Sequence, residues 1–270
     1  MNREKKFQEL IKPNKIWAVG SLHANTDSFK SLKKYILSNF QKEDKLVFLG
    51  NIIGFRNNSK EIISEVLKLR FELMAKFHLK NADIVFLRGA QEEMFSKLLQ
   101  LQIAPNPIEI IEWIFSHGVD QTIISYGLSP AEFKNTASQG TIQINKLTSK
   151  LNKQISLISG HKEFFSNLKH AAYSDSKEIL FVNRGVDITR PLSAQSDCFW
   201  WGYQNFSLID KPYNSFVRIV RGYQSNPYND LKNSKGKILC TLFRPPLKNK
   251  KILAGIFSKN GDILELFESK

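Results

Sequence analysis

Several short apolar runs in the sequence are followed by side chains that could bind a metal ion or an anion. His23 carries an imidazole, a common metal ligand, and Asn51 and Asn183 carry amide oxygens that could act as neutral ligands. Arg88 and Arg184 carry guanidinium groups, which bind phosphate and carboxylate oxygens in a bidentate manner. The residue types therefore point to a weak metal site or to a site for an anionic ligand. The structural alternatives are a hydrogen-bonded imidazole, an ion pair of Arg88 with a nearby acid, and solvated loop arginines.

These side chains follow apolar runs that alternate with amphipathic helical patterns, which is typical of a sheet covered by helices. Strands are predicted at Lys15–Gly20, Lys45–Gly50 and Asp83–Leu87, and helices at Ser28–Phe40, Ser59–Phe77 and Gln91–Gln102. Asp27 and Ser59 are the predicted N-caps of the first two helices. Since the loops after the strand C-termini form the binding crevice of α/β sheets, we expect the candidate residues to meet at one sheet edge.

The remainder of the chain divides into a helical part and a strand-rich part. Residues 107–170 read mainly as helices, because Pro105 and Pro107 end the preceding helix and no comparable strand pattern follows. Short strands are predicted at Glu178–Val182, Phe216–Val220, Lys237–Phe243, Lys251–Phe257 and Asp262–Phe267. The Asn260-Gly261 step predicts a hairpin between the last two, so the second sheet is expected to be mainly antiparallel at its end. The simplest organisation is one domain, residues 1–270, with residues 1–14 as a basic N-terminal extension.

The composition indicates a globular protein. The chain has 270 residues, 42% of them hydrophobic, and a formal net charge of +14. No apolar run is long enough to span a bilayer and no signal-peptide pattern is present, so we expect a cytoplasmic protein. Cys198 and Cys240 fit neither a zinc site nor a disulfide framework. The positive charge would allow binding to nucleic acid or an anionic surface, but the lysines are spread along the sequence without interleaved stacking aromatics, which makes this the weaker interpretation.

Segments spread over most of the sequence resemble, in order, the motifs of one protein family. They are Ile-Trp-Ala-Val-Gly-Ser-Leu-His at 16–23, Leu-Val-Phe-Leu-Gly-Asn at 46–51, Ile-Val-Phe-Leu-Arg-Gly-Ala-Gln-Glu at 84–92, His-Gly-Val-Asp-Gln-Thr-Ile-Ile-Ser-Tyr-Gly at 117–127, Phe-Val-Asn-Arg-Gly-Val at 181–186, Pro-Leu-Ser-Ala-Gln at 191–195 with Trp-Trp at 200–201, and Val-Arg-Gly-Tyr-Gln at 220–224. The chain resembles the calcineurin-like metallophosphoesterases, specifically the bacterial Ser/Thr protein phosphatases of the phosphoprotein phosphatase family. This resemblance implies an α/β fold, a metallophosphoesterase-like β-sandwich of two mixed sheets flanked by helices, with a helical insert around 107–170.

The resemblance also implies a site that has lost most of its metal ligands. The family holds two Mn, Fe or Zn ions about 3.5–4 Å apart, so that a bridging hydroxide can attack phosphorus. Here Ser21 stands for an Asp, Asn51 for the bridging Asp, Ala90 for an amide ligand, Asn183 and Tyr223 for two His ligands, and Gly54, Phe55 and Gln91 for a second Asp, an Arg and the His that protonates the leaving group. Only His23 retains the family's ligand. No binuclear centre, and hence no metal cofactor, is expected.

The prediction that follows is a pseudophosphatase, a catalytically inactive protein that serves as a binding or regulatory module. Its ligand would be a protein partner or a phosphorylated or otherwise anionic molecule, and the candidate ligand-binding residues are His23, Arg56, Arg88 and Arg184. One alternative is an active Ser/Thr phosphatase or phosphoesterase with a non-standard metal site around His23, and another is a nucleic-acid or anionic-surface binder. Phe55 and Tyr223 are expected to be buried together, filling the space that metals and substrate phosphate occupy in the family.

Overall fold

The described part of the chain forms two β-sheets with helices on their outer faces. The computed structural model describes residues 6–203, 206–225, 236–246 and 251–270. The strands are β1 (Phe7–Leu10), β2 (Ile16–Val19), β3 (Lys45–Phe48), β4 (Ile84–Phe86), β5 (Ala171–Ser174), β6 (Ile179–Val182), β7 (Arg218–Arg221), β8 (Leu239–Thr241), β9 (Leu253–Phe257) and β10 (Ile263–Glu268). The α-helices are α1 (Thr26–Asn39), α2 (Ser59–Phe77), α3 (Ala90–Leu98), α4 (Pro107–Ser116), α5 (Asp120–Ser125), α6 (Pro130–Ala137), α7 (Thr141–Ser156), α8 (His161–Ser166) and α9 (Cys198–Trp201).

Both sheets are mixed. The first has the strand order β10-β9-β2-β3-β4, in which β2, β3 and β4 are parallel and the β9–β10 hairpin is antiparallel to its neighbours. The second has the order β1-β5-β6-β7-β8, in which β6, β7 and β8 are parallel, β5 is antiparallel to β6, and β1 is parallel to β5. The carboxyl ends of the parallel strands bring their following loops to a common edge.

The two-residue period of the strands decides which side chains lie between the sheets. Ala18 and Val47 of the first sheet share one apolar layer with Phe181 and Val220 of the second. The alternate side chains, such as Trp17, point the other way and belong to the apolar cluster formed with the helices. This arrangement confirms the predicted β-sandwich of two mixed sheets flanked by helices.

The predicted helical insert is present as α4 to α8. Helix α4 begins at Pro107, and the Asn106 side chain caps it by accepting the N–H of Glu109 at 3.4 Å. The insert packs on the sandwich through contacts of α4 with α3 and of α5 and α8 with α2. None of the helices in the described ranges is both long and apolar enough to cross a membrane.

The two predicted helix caps were wrong. The side chain of Asn25, rather than that of Asp27, accepts the N–H of Ser28 at 3.3 Å and caps α1. Ser59 is the first residue of α2, and its hydroxyl turns inward to accept the N–H of Gly54 at 3.2 Å. Several polar residues lie near the start of each helix. The path of the preceding loop decides which of their side chains can reach the free N–H groups of the first turn.

The pairing of the terminal strands also differs from the sequence prediction. Residues 7–10, assigned to a basic extension, form β1 at the edge of the second sheet, where Leu10 is buried; residues 1–5 lie outside the described part. Strands β9 and β10 join the first sheet next to β2, and the second sheet ends with parallel strands, not antiparallel ones. The residue pattern of a strand of four or five residues is too short to specify which strand it pairs with. Long-range packing therefore decides the pairing.

Candidate functional site

Side chains from the loops of both sheets form one polar cluster at the strand ends. The hydroxyl of Ser21, after β2, donates to the carbonyl of Gly222, after β7, at 2.6 Å. The Asn51 side chain, after β3, donates to the Ser21 hydroxyl at 3.3 Å and accepts the N–H of Gln91 at 3.1 Å. Asn183, after β6, donates to the carbonyl of the residue that follows β3 at 2.6 Å. We call Ser21, Asn51, Gln91 and Asn183, together with His23, the strand-end site.

The backbone of Asn51 holds the loop that carries His23. Its carbonyl accepts the N–H groups of Leu22 and His23 at 3.0 and 2.9 Å. Asn51 has a φ of +52°, a left-handed conformation that asparagine tolerates better than most residues. Asn51 therefore has a defined structural role, since both its side chain and its backbone are engaged by protein groups.

A buried carboxylate fixes the loop after β3. Glu92 is 1% exposed and accepts the N–H groups of Asn51, Ile52, Ile53 and Gly89 at 2.9, 2.7, 3.2 and 2.8 Å. Burial raises the pKa of Glu92, and the four N–H groups act in the opposite direction. In the sequence Glu92 is an acidic residue of the predicted helix that begins at Gln91, and no local pattern indicates the loop contacts that it makes.

His23 is enclosed by apolar groups. It is 2% exposed, and neither ring nitrogen has a hydrogen-bond partner in the described part of the chain. The Phe55 ring packs edge-on at 5.0 Å between centroids, and the Phe243 ring lies at 6.2 Å. Burial and the nearby charge of Arg56 lower the pKa of His23 to about 3. The backbone of Ile53 acts in the opposite direction, although it forms no hydrogen bond with the ring. The imidazole is therefore neutral at pH 7.

Aromatic side chains border the strand-end site in a different arrangement from the one predicted. Phe55 and Tyr223 are half-buried, not buried together. They are connected through His23 and Phe243, because the Tyr223 ring lies 4.7 Å from Phe243, which in turn packs against His23. Phe243 was not identified from the sequence, where it is simply the end of an apolar run.

The Gln91 and Asn183 side chains of the strand-end site are neutral amides. The amide orientations of Gln91 and Asn183 are set by their N–H bonds to the carbonyls of His117 and Leu49, at 2.8 and 2.6 Å. Gln91 Oε1 and Asn183 Oδ1 remain buried without a partner in the described chain. Among the described residues, no group of three or more His, Cys, Asp or Glu side chains is arranged to hold a metal ion.

Gly54 and Ala90 both lie next to Gln91, the first in space and the second in the chain. Gly54 has a φ of +90°, and a Cβ there would collide with the Gln91 amide, so a carboxylate does not fit at Gly54 in this arrangement. Ala90 is the first residue of α3 and is half-buried. Gly54 therefore leaves the space that the Gln91 side chain occupies in the strand-end site.

Two of the candidate arginines bind protein groups. Arg56 donates to the carbonyls of His23 and Pro246 at 3.1 and 2.6 Å. Arg88 forms an ion pair with Glu93 at 2.8 Å, and its guanidinium carbon lies 5.9 Å from the centre of the Trp200 ring. These contacts favour a structural role for both arginines.

Arg184 lines a cavity of about 480 Å³ next to the strand-end site. Its guanidinium carbon is 5.0 Å from the centre of the Tyr223 ring, and its Nη2 donates to the Ser225 hydroxyl at 2.8 Å. A second guanidinium, that of the buried Arg221, lines the same cavity and donates to the Ser207 hydroxyl at 3.0 Å. Arg221 lies in the motif-like segment 220–224, but its side chain was not singled out from the sequence.

Replacing His23 with leucine is expected to raise the free energy of unfolding by about 1 kcal/mol at pH 7. An apolar side chain of similar size leaves no polar atom buried without a partner. Urea denaturation measures the change, and His23→Gln, which keeps a polar group there, is the control and should give no increase. A loss of stability in His23→Leu that exceeds the loss in His23→Gln would show that the imidazole has a partner of its own.

Comparison with known proteins shows which solved structures have a similar fold. Neither the family models nor the curated proteins that were compared match this sequence. Among solved structures, a candidate diadenosine tetraphosphatase is similar with a TM-score of 0.53 and 13% identity, covering 98% of each chain. A protein serine/threonine phosphatase from Saccharomyces cerevisiae gives 0.49 and 13%, covering 99% of this chain and 85% of that one. A metallophosphoesterase from Sphaerobacter thermophilus gives 0.45 and 14%, covering 95% and 88%.

At such low sequence identities the comparison shows the fold alone. Function has to be argued from the residues of the site. The two mixed sheets flanked by helices match the metallophosphoesterase fold.

Proposed function

We propose that this protein is a pseudophosphatase, a metallophosphoesterase-fold protein without a binuclear metal centre that acts as a binding module for an anionic ligand. The observation that carries the proposal is the environment of His23, the one ligand position where the family residue remains. Phe55 packs edge-on against this imidazole at 5.0 Å, and Arg56 places a positive charge beside it.

The charge of the site supports the same proposal. Two divalent cations need several carboxylates to compensate them, and they are unfavourable next to fixed positive charges. The strand-end site carries one imidazole, one hydroxyl and three amides, and the nearby carboxylate of Glu92 is engaged by four backbone N–H groups. We propose that Arg184, which faces a cavity, contacts the ligand, and that Arg56 and Arg88 support the surrounding loops.

One observation favours a second candidate function, a phosphoesterase with a single weakly bound metal ion. Both ring nitrogens of His23, one of which is an acceptor in the neutral ring, are buried without partners in the described residues, as are the acceptors Gln91 Oε1 and Asn183 Oδ1. Neutral nitrogen and oxygen atoms of this kind could hold one ion near His23. Against this candidate, Gln91 stands where the resemblance places the general acid for the leaving group, and an amide cannot serve as that acid.

Metal analysis tests the proposal. Purified protein is incubated with manganese, zinc and iron, and after removal of the excess its metal content is measured by inductively coupled plasma mass spectrometry. We expect less than about a tenth of an equivalent of metal, because the strand-end site offers only neutral ligand atoms. So low a content would exclude a mechanism that needs two tightly bound ions. Near one equivalent, lost in His23→Ala together with activity on a phosphate ester, would support the second candidate. Near two equivalents would contradict the proposal.

Three further expectations rest on the sequence and belong to the same proposal. The relationship to the bacterial Ser/Thr phosphatases rests on the order of the motif-like segments. A cytoplasmic location and a single-domain organisation over residues 1–270 also remain predictions.

A further inference from the structure

We propose that the cavity lined by Arg184 and Arg221 binds a nucleoside phosphate, with the phosphate at Arg184 and the base against Trp201 and Tyr203. This inference names the class of ligand that the proposed binding module takes. It rests on the proposed function in one respect, namely that the ligand is bound and is not hydrolysed. We call the cavity the arginine pocket; its described lining residues are Arg184, Trp201, Gly202, Tyr203, Phe206, Ser207, Arg221, Gln224 and Ser225.

The first argument is the chemistry of the lining. Two guanidinium groups and three side chains with a hydroxyl group, Tyr203, Ser207 and Ser225, line the arginine pocket, and none of its described lining residues carries a carboxylate. Arginine presents planar pairs of N–H donors that match the oxygens of a phosphate. Such a lining selects an anion with several acceptor oxygens.

The second argument is that the guanidinium of Arg184 is held in place. It lies over the Tyr223 ring at 5.0 Å and donates to the Ser225 hydroxyl at 2.8 Å. Gly202 has a φ of +85°, and a Cβ there would lie 2.9 Å from Arg184 Nε, so glycine leaves the room that this side chain occupies. A positioned guanidinium loses less conformational entropy when it binds an anion.

The third argument is the aromatic wall, which a phosphate alone would not need. Trp201 and Tyr203 line the arginine pocket, and Tyr203 is 40% exposed. Trp113, which is 44% exposed, packs edge-on against Trp201 at 5.6 Å and extends this aromatic surface. Aromatic side chains next to basic ones are the usual surface for stacking a nucleobase.

The size of the arginine pocket fits the same ligand class. Its volume of about 480 Å³ lies in the range of sites for small organic molecules and is several times larger than one phosphate ion needs. The Ser207 hydroxyl and the Gln224 amide oxygen, which also line the pocket, accept N–H groups of Arg221 at 3.0 and 2.8 Å and hold this second guanidinium in place.

Isothermal titration calorimetry of the full chain tests the proposal with defined probes. The probes are adenosine 5′-monophosphate (AMP), ribose 5-phosphate, adenosine, inorganic phosphate and O-phosphotyrosine. We expect AMP to bind at least about tenfold tighter than inorganic phosphate or adenosine, because only AMP presents both a phosphate to Arg184 and a base to the aromatic wall. Equal binding of AMP and inorganic phosphate, tighter binding of O-phosphotyrosine, or no binding of AMP would overturn the proposal.

Variants locate the binding. Arg184→Gln is expected to weaken AMP binding at least about tenfold, and Arg184→Lys by less, since lysine keeps the charge but loses the planar pair of donors. Arg190→Gln is the matched control, because Arg190 has a side chain that is 67% exposed and does not line the arginine pocket. Thermal melting confirms that each variant is folded. Unchanged AMP binding in folded Arg184→Gln would overturn the assignment.

Tryptophan fluorescence and product analysis complete the test. AMP is expected to quench the emission of Trp201, and Trp201→Leu should remove most of the quenching, whereas full quenching in that variant would contradict stacking on Trp201. Chromatography should recover AMP unchanged. Its conversion to adenosine would contradict the absence of catalysis while leaving the arginine pocket in place, whereas absence of binding would overturn the pocket without affecting the metal analysis.

Discussion

Replacing Glu92 with alanine is expected to lower the free energy of unfolding by about 3–5 kcal/mol, enough to unfold a large fraction of an ordinary domain at 37 °C. The reason is that four backbone N–H groups, those of Gly89 and residues 51–53, all donate to this buried carboxylate. Without it, these donors are left in an apolar environment with no acceptor. Urea denaturation followed by circular dichroism measures the change.

Glu109→Ala is the matched control for Glu92→Ala. Glu109 also lies in the first turn of a helix, α4, but it is exposed. It therefore reports the ordinary effect of an acidic residue at a helix N-terminus, about 0.3–1 kcal/mol. If Glu92→Ala costs no more than Glu109→Ala, the carboxylate does not support the loop after β3, and the account of the strand-end site given above is wrong.

Stability is expected to fall steeply below about pH 6 because three histidines are buried in the neutral form. Burial is the main cause that lowers the pKa of His23 to about 3 and the pKa values of His161 and His170 to about 4 each. In the unfolded chain each takes up a proton near pH 6.5, so acid favours unfolding. Their contribution is fully present above about pH 6.5 and is lost as the pH falls towards 4.

The expected loss is roughly 2 kcal/mol for each histidine between pH 7 and pH 4.5. The raised pKa of Glu92 acts in the opposite direction and offsets part of this loss. Urea denaturation at pH 7 and at pH 4.5 measures the total. The double variant His23→Leu/His170→Phe should lose about 4 kcal/mol less than the unmodified protein over the same interval, and an equal loss in both proteins would rule out buried neutral histidines as the cause.

His161 differs from the other two histidines in having partners for both ring nitrogens. Its Nδ1 pairs with the Tyr126 hydroxyl at 2.8 Å, and its Nε2 pairs with the Ser64 hydroxyl at 3.0 Å. His23 has no such partner, and His170 has none at Nδ1 among the described residues. His161, the first residue of α8, therefore ties the helical insert to α2.

The sequence by itself determined the type and order of most elements. Apolar runs with a period of two or between three and four residues marked β2, β3, β4 and the main helices, because these periods follow directly from strand and helix geometry. The order of the motif-like segments then indicated the β-sandwich. The residue types at positions such as Ser21, Asn51 and Asn183 also come from the sequence, and they carry the argument against a binuclear centre.

Only the tertiary structure decided how these elements pair and what surrounds the site. It placed β1 at the edge of the second sheet, joined β9 to β2, and set Phe243 against His23. It also brought Arg184 and Arg221 to one cavity and assigned Arg56 and Arg88 to protein contacts. These contacts join residues far apart in the chain, and their energies depend on packing and burial that no local pattern encodes.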